Sequence, residues 1–377
     1  MLGNSQGLRL AITGGGTGGH VLPALAAVDE LRQRGSLADL IWIGSREGVE
    51  RGAAEEAGIR FIAIPTGKLR RYLSLRNLTD AARVPFGVLS ARRALTAFRP
   101  NVILSTGGFV SVPAVVAARG IAPVLTHEQT AILGLANRIN ARFADVLAVS
   151  HPATEQLALR LHRRVVVTGN PVRTSLTAGD RSRGLRALGF NDGIPVIYVT
   201  GGARGASPIN QRIAALLPRI LDRVQIVHQT GPLSANPDAA SLTRRRDSLP
   251  DAVRHRYKVV EFVGDELADV YAAADLVIGR AGAGTIAELA FVGLPAILIP
   301  LPGARGDEQT VNARVLGDAG AAIVIKQPSA TPERLQTEIL ALLDDPERRE
   351  RMAEAARTLA RPDAAARLAD ELLALAR

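Results

Sequence analysis

Short apolar runs rich in Val, Ile and Leu recur along the chain, and each ends at glycine or a small polar residue before a longer stretch with helical periodicity. The first run is Leu8–Thr13, which ends in glycines and precedes a helix that extends to about Arg34. This alternation is typical of βα units built around a parallel sheet. The other strands predicted in the first half are Leu40–Ile43, Val102–Leu104, Val124–Thr126, Val146–Val149 and Val165–Thr168.

The alternation is interrupted once, after Asn170–Arg173, where the chain becomes polar and irregular and is interpreted as a linker. It restarts with strands at Pro195–Thr200, Val224–His228, Tyr257–Phe262, Leu276–Ile278, Ala296–Ile299 and Ala322–Ile325. Each half opens with a strand and a glycine-rich turn. This similarity between two long halves is not the pattern of an array of short repeats. The pattern predicts an α/β fold with domains at 1–168 and 169–361, and a last helix at 362–377, set off by Pro362, that packs back on the first domain.

The composition of the chain limits the kinds of partner that it is expected to bind. The 377 residues are enough for two domains, and a formal charge of +10 favours anionic partners. Aromatic residues are few and are not interleaved with arginine, which argues against nucleic acid as a partner. The absence of cysteine excludes disulfides and thiolate metal sites and fits a cytoplasmic location.

No membrane span or secretory segment is predicted. The N-terminal apolar run is too short for a secretory signal. The longest uncharged run, Asn101–Ala118, is broken by Gly107, Gly108 and Pro113.

The glycine-rich turn Gly14–Gly19 lies between a predicted strand and helix, where backbone N–H groups and the helix N-terminus can approach a phosphate or another polar ligand. His20 follows it directly and could take a proton near neutral pH, or could simply pack in the first helical turn. The turn also matches the dinucleotide fingerprint of nicotinamide dehydrogenases. That interpretation is disfavoured because Gly44 and Ser45, not an acid, follow the next strand.

A second polar cluster follows strands of the second half. The turn Gly279–Thr285 again joins a strand to a helix, and Glu288 is expected in the first turn of that helix. A carboxylate there can accept hydrogen bonds from two ribose hydroxyls while backbone amides face a diphosphate, although a solvated surface glutamate has the same spacing. Asp307–Gln309 and Asn312 follow the strand Ala296–Ile299, at the end of the sheet where such folds bind ligands.

The histidines do not indicate a metal site. His127 and Glu128 follow a predicted strand and are either an acid/base pair or a buried structural pair. The other four, which show no metal-ligand spacing and are interpreted as structural, are His151, His162, His228 and His255.

The segment from Lys68 to Arg93 mixes large apolar and basic residues and has Asp80 as its one acid. On a surface it would place apolar side chains in a bilayer and cations on anionic head groups. An amphipathic helix packed on the core is the alternative.

Six motifs in order resemble the MurG family: Gly14–His20 with Val21 and Pro23, Thr106–Ser111, His127–Gln129, Gly169–Arg173, Gly279–Glu288 and Gln309–Ala313. The resemblance covers nearly the whole chain. It implies a GT-B fold, with two Rossmann-like domains facing across a cleft, and a peripheral enzyme at the cytoplasmic face of the plasma membrane. The implied reaction is inverting transfer of N-acetylglucosamine from UDP to the C4 hydroxyl of lipid I, forming lipid II, without a metal ion or cofactor.

The same resemblance implies roles for single residues. His20 is the expected base, with Glu128 as competitor or partner. The donor UDP-N-acetylglucosamine is expected to contact Thr17, Gly18, Gly19, Thr130, Arg173, Gly202, Ala203, Val263, Ala283, Gly284, Thr285, Glu288 and Gln309. The acceptor or the membrane is expected to contact Gly107, Gly108, Asn137, Arg70, Arg71, Tyr72 and Phe86.

The chain departs from the family pattern at four positions. Thr130 stands where asparagine is usual, Phe109 where tyrosine is usual, and Ala203 and Arg204 where Ser-Gln is usual. The changes at Thr130, Ala203 and Arg204 keep open a glycosyltransferase for another lipid or small molecule. The same fold also leaves open a sugar-nucleotide epimerase and a binding scaffold without turnover.

Overall fold

The computed structural model describes residues 7–67, 75–232, 234, 237–303 and 305–377, with only the backbone for 75–82 and 305. The chain divides into two compact units. Unit 1 contains the residues up to Arg173 together with Arg361–Arg377, and unit 2 contains Thr174–Ala360.

Unit 1 is built on a parallel sheet of seven strands in the order β3-β2-β1-β4-β5-β6-β7. The strands are β1 (Leu8–Thr13), β2 (Leu37–Ser45), β3 (Arg60–Ile64), β4 (Val102–Ser105), β5 (Val124–Glu128), β6 (Val146–Val149) and β7 (Val165–Val167). The helices between them are α1 (Gly18–Gln33), α2 (Val49–Glu56), α3 (Leu75–Phe98), α4 (Ser111–Ala117), α5 (Leu135–Asn140) and α6 (Pro152–Leu159).

Alternation along β1 explains why both faces of this sheet are covered. Leu10 and Ile12 are fully buried in a core that includes residues of α1 and α2, whereas Ala11 is buried in a second core with residues of α3 and α4. Because β1, β4 and β5 are adjacent and parallel, the turns after them lie at one edge of the sheet.

The last helix returns to unit 1. It spans Ala364–Leu375, and its buried Leu368 and Leu372 lie in the same core as α1. Arg34 of the α1 C-cap bonds Asp370 at 2.5 Å, and Arg164 bonds Glu371 at 2.7 Å. These exposed ion pairs add little beside the apolar contact.

Unit 2 has a six-stranded parallel sheet in the order β10-β9-β8-β11-β12-β13. The strands are β8 (Val196–Thr200), β9 (Gln225–Gln229), β10 (Tyr257–Val260), β11 (Leu276–Gly279), β12 (Ala296–Leu298) and β13 (Ala322–Val324). The helices are α7 (Arg181–Leu188), α8 (Ser207–Ile220), α9 (Asp238–Asp247), α10 (Asp251–Arg254), α11 (Leu267–Ala273), α12 (Ala283–Val292), α13 (Glu308–Asp318), α14 (Pro332–Leu343) and α15 (Pro346–Thr358), and the last helix of unit 1 is α16.

The predicted fold class, α/β with two parallel Rossmann-like sheets, is confirmed. Two local expectations were wrong. The sequence prediction omitted β3, and the polar segment interpreted as a linker contains α7, which Asp180 caps through the Arg183 N–H and which packs on α11. Within the part of the chain that the structure describes, no helix is both long and apolar enough to cross a bilayer.

Candidate active site

The buried carboxylate of Glu50 supports the turn between β1 and α1. Glu50 accepts a hydrogen bond from the Gly16 N–H at 2.9 Å, and its other oxygen accepts from Ser45 N at 3.0 Å and Ser45 Oγ at 2.5 Å. A Cβ on Gly15 would lie 2.3 Å from the Glu50 carboxyl carbon, so glycine is required there. Glu50 therefore shapes the turn. In the sequence, Glu50 is visible only as an acid near the start of a helix.

His20 lies in the first turn of α1 and is half-buried. Its Nδ1 is 2.9 Å from the carbonyl oxygen of Thr106 and 3.0 Å from Oε1 of Gln129. Both partners are acceptors, so Nδ1 carries the proton in the neutral ring and the lone pair lies on Nε2. No protein partner of Nε2 is recorded among the described residues, which leaves that lone pair able to take a proton.

The turn after β4 closes over the same imidazole. Gly108 has φ +76°, and a Cβ there would lie 2.3 Å from the Gly15 carbonyl oxygen and 3.1 Å from Cδ2 of His20. A Cβ on Gly107 would lie 2.8 Å from the Asn137 amide. The two turns and the ring thus fit together only because these positions lack side chains.

Glu128 is buried at the end of β5, and all its hydrogen-bond donors come from its own loop. Oε1 accepts from Thr130 N at 3.0 Å and Thr130 Oγ1 at 2.8 Å, while Oε2 accepts from Gly134 N at 2.8 Å and Asn137 Nδ2 at 3.0 Å. The carboxylate ties residues 128–137 together. The threonine that replaces the family's asparagine supplies two of these donors.

His127 is completely buried beside this loop. Its Nε2 is 3.0 Å from the Gly169 carbonyl oxygen, and its Nδ1 is 3.0 Å from Nε2 of Gln129. Burial is the main cause that lowers the pKa of His127 from 6.5 to about 4, against the opposing bond to Gly169. The ring is neutral at neutral pH.

The remaining predicted residues of unit 1 are placed as follows. Thr17 is exposed and Gly18 and Gly19 are half-buried at the start of α1. Arg173 is half-buried, and its Nε is buried without a hydrogen-bond partner. Phe86 on α3 is 66% exposed. Arg70, Arg71 and Tyr72 lie outside the described residues.

In unit 2, Glu288 lies on α12 in the second turn and not, as predicted, in the first, because the helix begins with the half-buried Ala283, Gly284 and Thr285. Tyr271 Oη donates to Oε2 of Glu288 at 2.9 Å, so α11 fixes the carboxylate's position. The backbone N–H groups at the start of an α-helix and a fixed carboxylate suit a ligand with phosphate and paired hydroxyls.

Two glutamines join the turns of unit 2. Gln229 accepts from Val263 N at 3.0 Å and from Tyr198 Oη at 3.0 Å, and donates to the Gly202 carbonyl oxygen at 3.2 Å. Gln309 accepts from Ala281 N at 3.3 Å and Leu301 N at 3.0 Å. The sequence prediction missed Gln229, because its role depends on contacts between distant segments.

Arg280 was also missed, within the motif after β11. It is 6% exposed and donates to the carbonyl oxygens of Ile299 at 2.9 Å and Pro300 at 3.1 Å, and to Gln327 Oε1 at 2.6 Å. Burial lowers the pKa of Arg280 to about 10, with a smaller contribution from Arg212. Arg280 thus supports the turn, whereas Ala203 and Arg204 after β8 are exposed. No cluster of three or more metal-ligating side chains occurs among the described residues.

Comparison with known proteins agrees with this arrangement. Residues 10–149 match the glycosyltransferase family 28 N-terminal domain, and residues 196–368 match the glycosyltransferase family 28 C-terminal domain. A protein of Desulfitobacterium hafniense, UDP-N-acetylglucosamine--N-acetylmuramyl-(pentapeptide) pyrophosphoryl-undecaprenol N-acetylglucosamine transferase, is 37% identical over 95% of this chain and 96% of its own length.

Two solved structures are similar. Acinetobacter baumannii MurG has a TM-score of 0.73 at 30% identity and covers 97% of this chain and 99% of its own. UDP-GlcNAc 2-epimerase from Neisseria meningitidis has a TM-score of 0.68 at 16% identity, covering 97% of this chain and 99% of its own, which is a likeness of fold alone.

The fold and the two glycine-rich sites therefore define a glycosyltransferase of the GT-B class, a hexosyltransferase. Within that class, the chain belongs to the MurG family.

Proposed function

We propose that this protein transfers N-acetylglucosamine from UDP-N-acetylglucosamine to the C4 hydroxyl of undecaprenyl-diphosphate-linked N-acetylmuramyl-pentapeptide, lipid I, to form lipid II for peptidoglycan. The family supplies the substrate classes. The observation that carries the proposal for this chain is the imidazole of His20, whose Nδ1 bonds Thr106 and Gln129 and whose Nε2 keeps its lone pair.

In the proposed reaction, Nε2 of His20 takes the proton of the acceptor hydroxyl as its oxygen attacks the anomeric carbon of the donor sugar. The new carbon–oxygen bond forms on one face while the bond to the UDP oxygen breaks on the other, so the anomeric configuration inverts and UDP leaves with the bonding electrons. In-line attack needs positioning, a base and stabilisation of the leaving diphosphate.

Unit 2 is proposed to supply most of the donor contacts, and unit 1 the rest, through Arg173, Thr17, Gly18, Gly19 and Thr130. Glu288 accepts from the ribose hydroxyls, the N-terminal amides of α12 at Ala283, Gly284 and Thr285 face the diphosphate, and Val263 borders the uracil. Gln309 contacts the sugar, and Gly202 and Ala203 line the turn after β8. Arg173 supplies positive charge to the diphosphate, which fits its half-buried guanidinium. Thr17, Gly18, Gly19 and Thr130 complete the proposed donor contacts.

Unit 1 is proposed to hold the acceptor, through the Gly107-Gly108 turn supported by Asn137. Glu128 is proposed to position this loop rather than to act as base. Its two oxygens already accept four hydrogen bonds from Thr130, Gly134 and Asn137, which leaves no lone pair directed at a substrate.

The experiment is transfer of radiolabel from UDP-N-acetylglucosamine to a lipid I analogue, with the donor alone as control. We expect a labelled lipid-linked disaccharide that depends on the acceptor. A labelled hexosamine other than N-acetylglucosamine, formed without acceptor, would instead indicate an epimerase, and label on another lipid would indicate a different acceptor.

We further propose that α3 places the enzyme on the cytoplasmic face of the plasma membrane as a peripheral protein. Phe86 and Leu89 are 66% and 48% exposed on this helix, beside the exposed arginines Arg83 and Arg93. Apolar side chains flanked by cations suit an anionic bilayer.

The experiment is sedimentation of the protein with phosphatidylglycerol vesicles. We expect most of the wild-type protein to sediment with the vesicles, and less of the Phe86→Ser variant. Equal sedimentation of both proteins would contradict this role for Phe86.

A further inference from the structure

Two histidines of unit 1 are linked through one glutamine. The Gln129 carboxamide lies between His20 and His127, with Oε1 3.0 Å from His20 Nδ1 and Nε2 3.0 Å from His127 Nδ1. The same Nε2 donates to the Thr106 carbonyl oxygen at 2.9 Å. Gln129 is 1% exposed and His127 is fully buried, so water does not compete for these bonds.

Backbone carbonyl oxygens, which can only accept, set the direction of the bonds in this chain: that of Gly169 beside His127, and those of Thr106 and His127 at 2.9 and 3.1 Å from Nε2 of Gln129. Gly169 offers His127 Nε2 a carbonyl oxygen, which can only accept, so His127 carries its proton on Nε2 and accepts on Nδ1. The atom that donates to Nδ1 is then the amide nitrogen of Gln129. The amide oxygen consequently faces His20, and His20 must present an N–H to it.

Burial supports this arrangement because it keeps His127 able to accept. The pKa of His127 is lowered to about 4 chiefly by loss of hydration, and the nearby His151 and His20 lower it further. His151 is half-buried, and loss of hydration, with a smaller contribution from Arg361, lowers its pKa to about 4 as well. The carboxylate close to His127 in sequence, Glu128, directs its oxygens to the donors of its own loop.

We infer that Gln129 and His127 are positioning residues that hold His20 in the tautomer with the proton on Nδ1 and the lone pair on Nε2. This inference rests on the proposed function, in which Nε2 takes the acceptor's proton. Gln129 serves as an uncharged acceptor for the base, and the ring of His127, together with the carbonyl oxygens of Thr106 and His127, fixes which way its amide points. The Thr106 carbonyl oxygen also accepts from Nδ1, so loss of Gln129 weakens the preference without abolishing it.

The kinetic test compares Gln129→Met with Gln225→Met. Gln225 is a matched control, a fully buried glutamine of unit 2 whose side chain, among the described residues, bonds only backbone atoms, those of Asn191 and Ile194. We expect Gln129→Met to lower kcat about 10- to 100-fold at an unchanged KM for UDP-N-acetylglucosamine, because a wrong tautomer removes the base. Gln129→Glu should restore part of kcat and move the acid limb of the kcat profile to higher pH, because a carboxylate stabilises the protonated imidazole. Gln225→Met should lower only the melting temperature.

The structural test is the tautomer of His20 itself, read from long-range proton–nitrogen NMR correlations of the ¹⁵N-histidine-labelled full chain and assigned with His20→Gln. Wild type and Gln225→Met should show a proton on Nδ1, whereas Gln129→Met should show a mixture. Wild-type protonation on Nε2, or the same tautomer in all three proteins, would overturn the inference. Full activity of His20→Gln would instead refute the proposed base and leave the NMR result standing.

Discussion

The residues of the proposed site are of two kinds: those proposed to contact the substrates, and those that hold the contacting residues in position. His20 followed from its position after a glycine-rich turn, because local spacing alone places it at the start of a helix. Gln129 and Glu50 did not, because their roles depend on hydrogen bonds to residues far away in sequence, His20 and Gly16. Sequence pattern reports local geometry, whereas such partners depend on the tertiary fold.

Both carboxylate oxygens of Glu128 already accept hydrogen bonds from its own loop, so we predict that Glu128→Gln mainly lowers the stability of the protein. The glutamine NH₂ group would face either the donors from Thr130 or those from Gly134 and Asn137, and would leave buried groups unpaired at about 1–3 kcal/mol. Thermal unfolding should show a lower melting temperature, and kcat should fall less than in a His20 variant. Loss of one limb of the pH–rate profile would contradict this, since it would make Glu128 a titrating catalytic group.

The hydroxyl of Tyr271 orients Glu288, so we predict that its removal weakens binding of the donor. Tyr271→Phe removes the hydrogen bond from α11, so the carboxylate loses a donor that orients it for the ribose. We expect KM for UDP-N-acetylglucosamine to rise about three- to tenfold with kcat nearly unchanged. Tyr257→Phe, which removes another buried hydroxyl of unit 2 bonded to His228, is the control and should leave KM unchanged. The reverse pattern would contradict the role of Glu288.

At the scale of elements, strand–turn–helix units were predictable where apolar runs end in glycine. The strand β3 was missed because it lies at the sheet edge, where Arg60 and Ala63 are exposed and only Ile64 of its five residues is buried, so it does not form a buried apolar run. The helix α7 was missed because its charged surface resembles a polar linker. Its burial of Leu185 and Leu188 appears only once α11 lies beside it.

The turns themselves predict which glycines matter. Gly108→Ala should lower kcat strongly, because its Cβ would meet the Gly15 carbonyl oxygen at 2.3 Å and displace the turn beside His20. Gly120→Ala is a matched control, with a similar φ of +74° but open space around the added Cβ. It should cost about 1–2 kcal/mol of stability and leave kcat intact. Equal kcat values for the two variants in a transfer assay would show that the fit at Gly108 is unimportant.

At the scale of the whole molecule, each unit contains histidines whose pKa is lowered by loss of hydration, so that they are neutral at neutral pH. Loss of hydration lowers the pKa of His127 and His151 in unit 1 from 6.5 to about 4, and that of His228 in unit 2 to about 3. The unfolded chain therefore binds more protons than the folded chain below pH 6.5. The free energy of unfolding therefore contains the full contribution of these neutral histidines above pH 6.5, and it loses that contribution as the pH falls towards 4.

Urea unfolding followed against pH tests this linkage for unit 2. His228 bonds Tyr257 and Asn210, so His228→Gln should be less stable than wild type near neutral pH. The gap between the two unfolding midpoints should narrow from pH 6.5 to 4, because only the wild type loses the contribution of a neutral His228. A gap that stays constant over this range would contradict the assignment.

The central claim is that the Nε2 lone pair of His20 takes the proton of the acceptor hydroxyl, and the most direct measurement is kcat of His20→Gln with both substrates saturating. General-base catalysis contributes about 10²- to 10⁴-fold, so we predict a loss of that size with KM for UDP-N-acetylglucosamine unchanged. A kcat within about twofold of wild type, too little for the loss of a general base, would contradict the account.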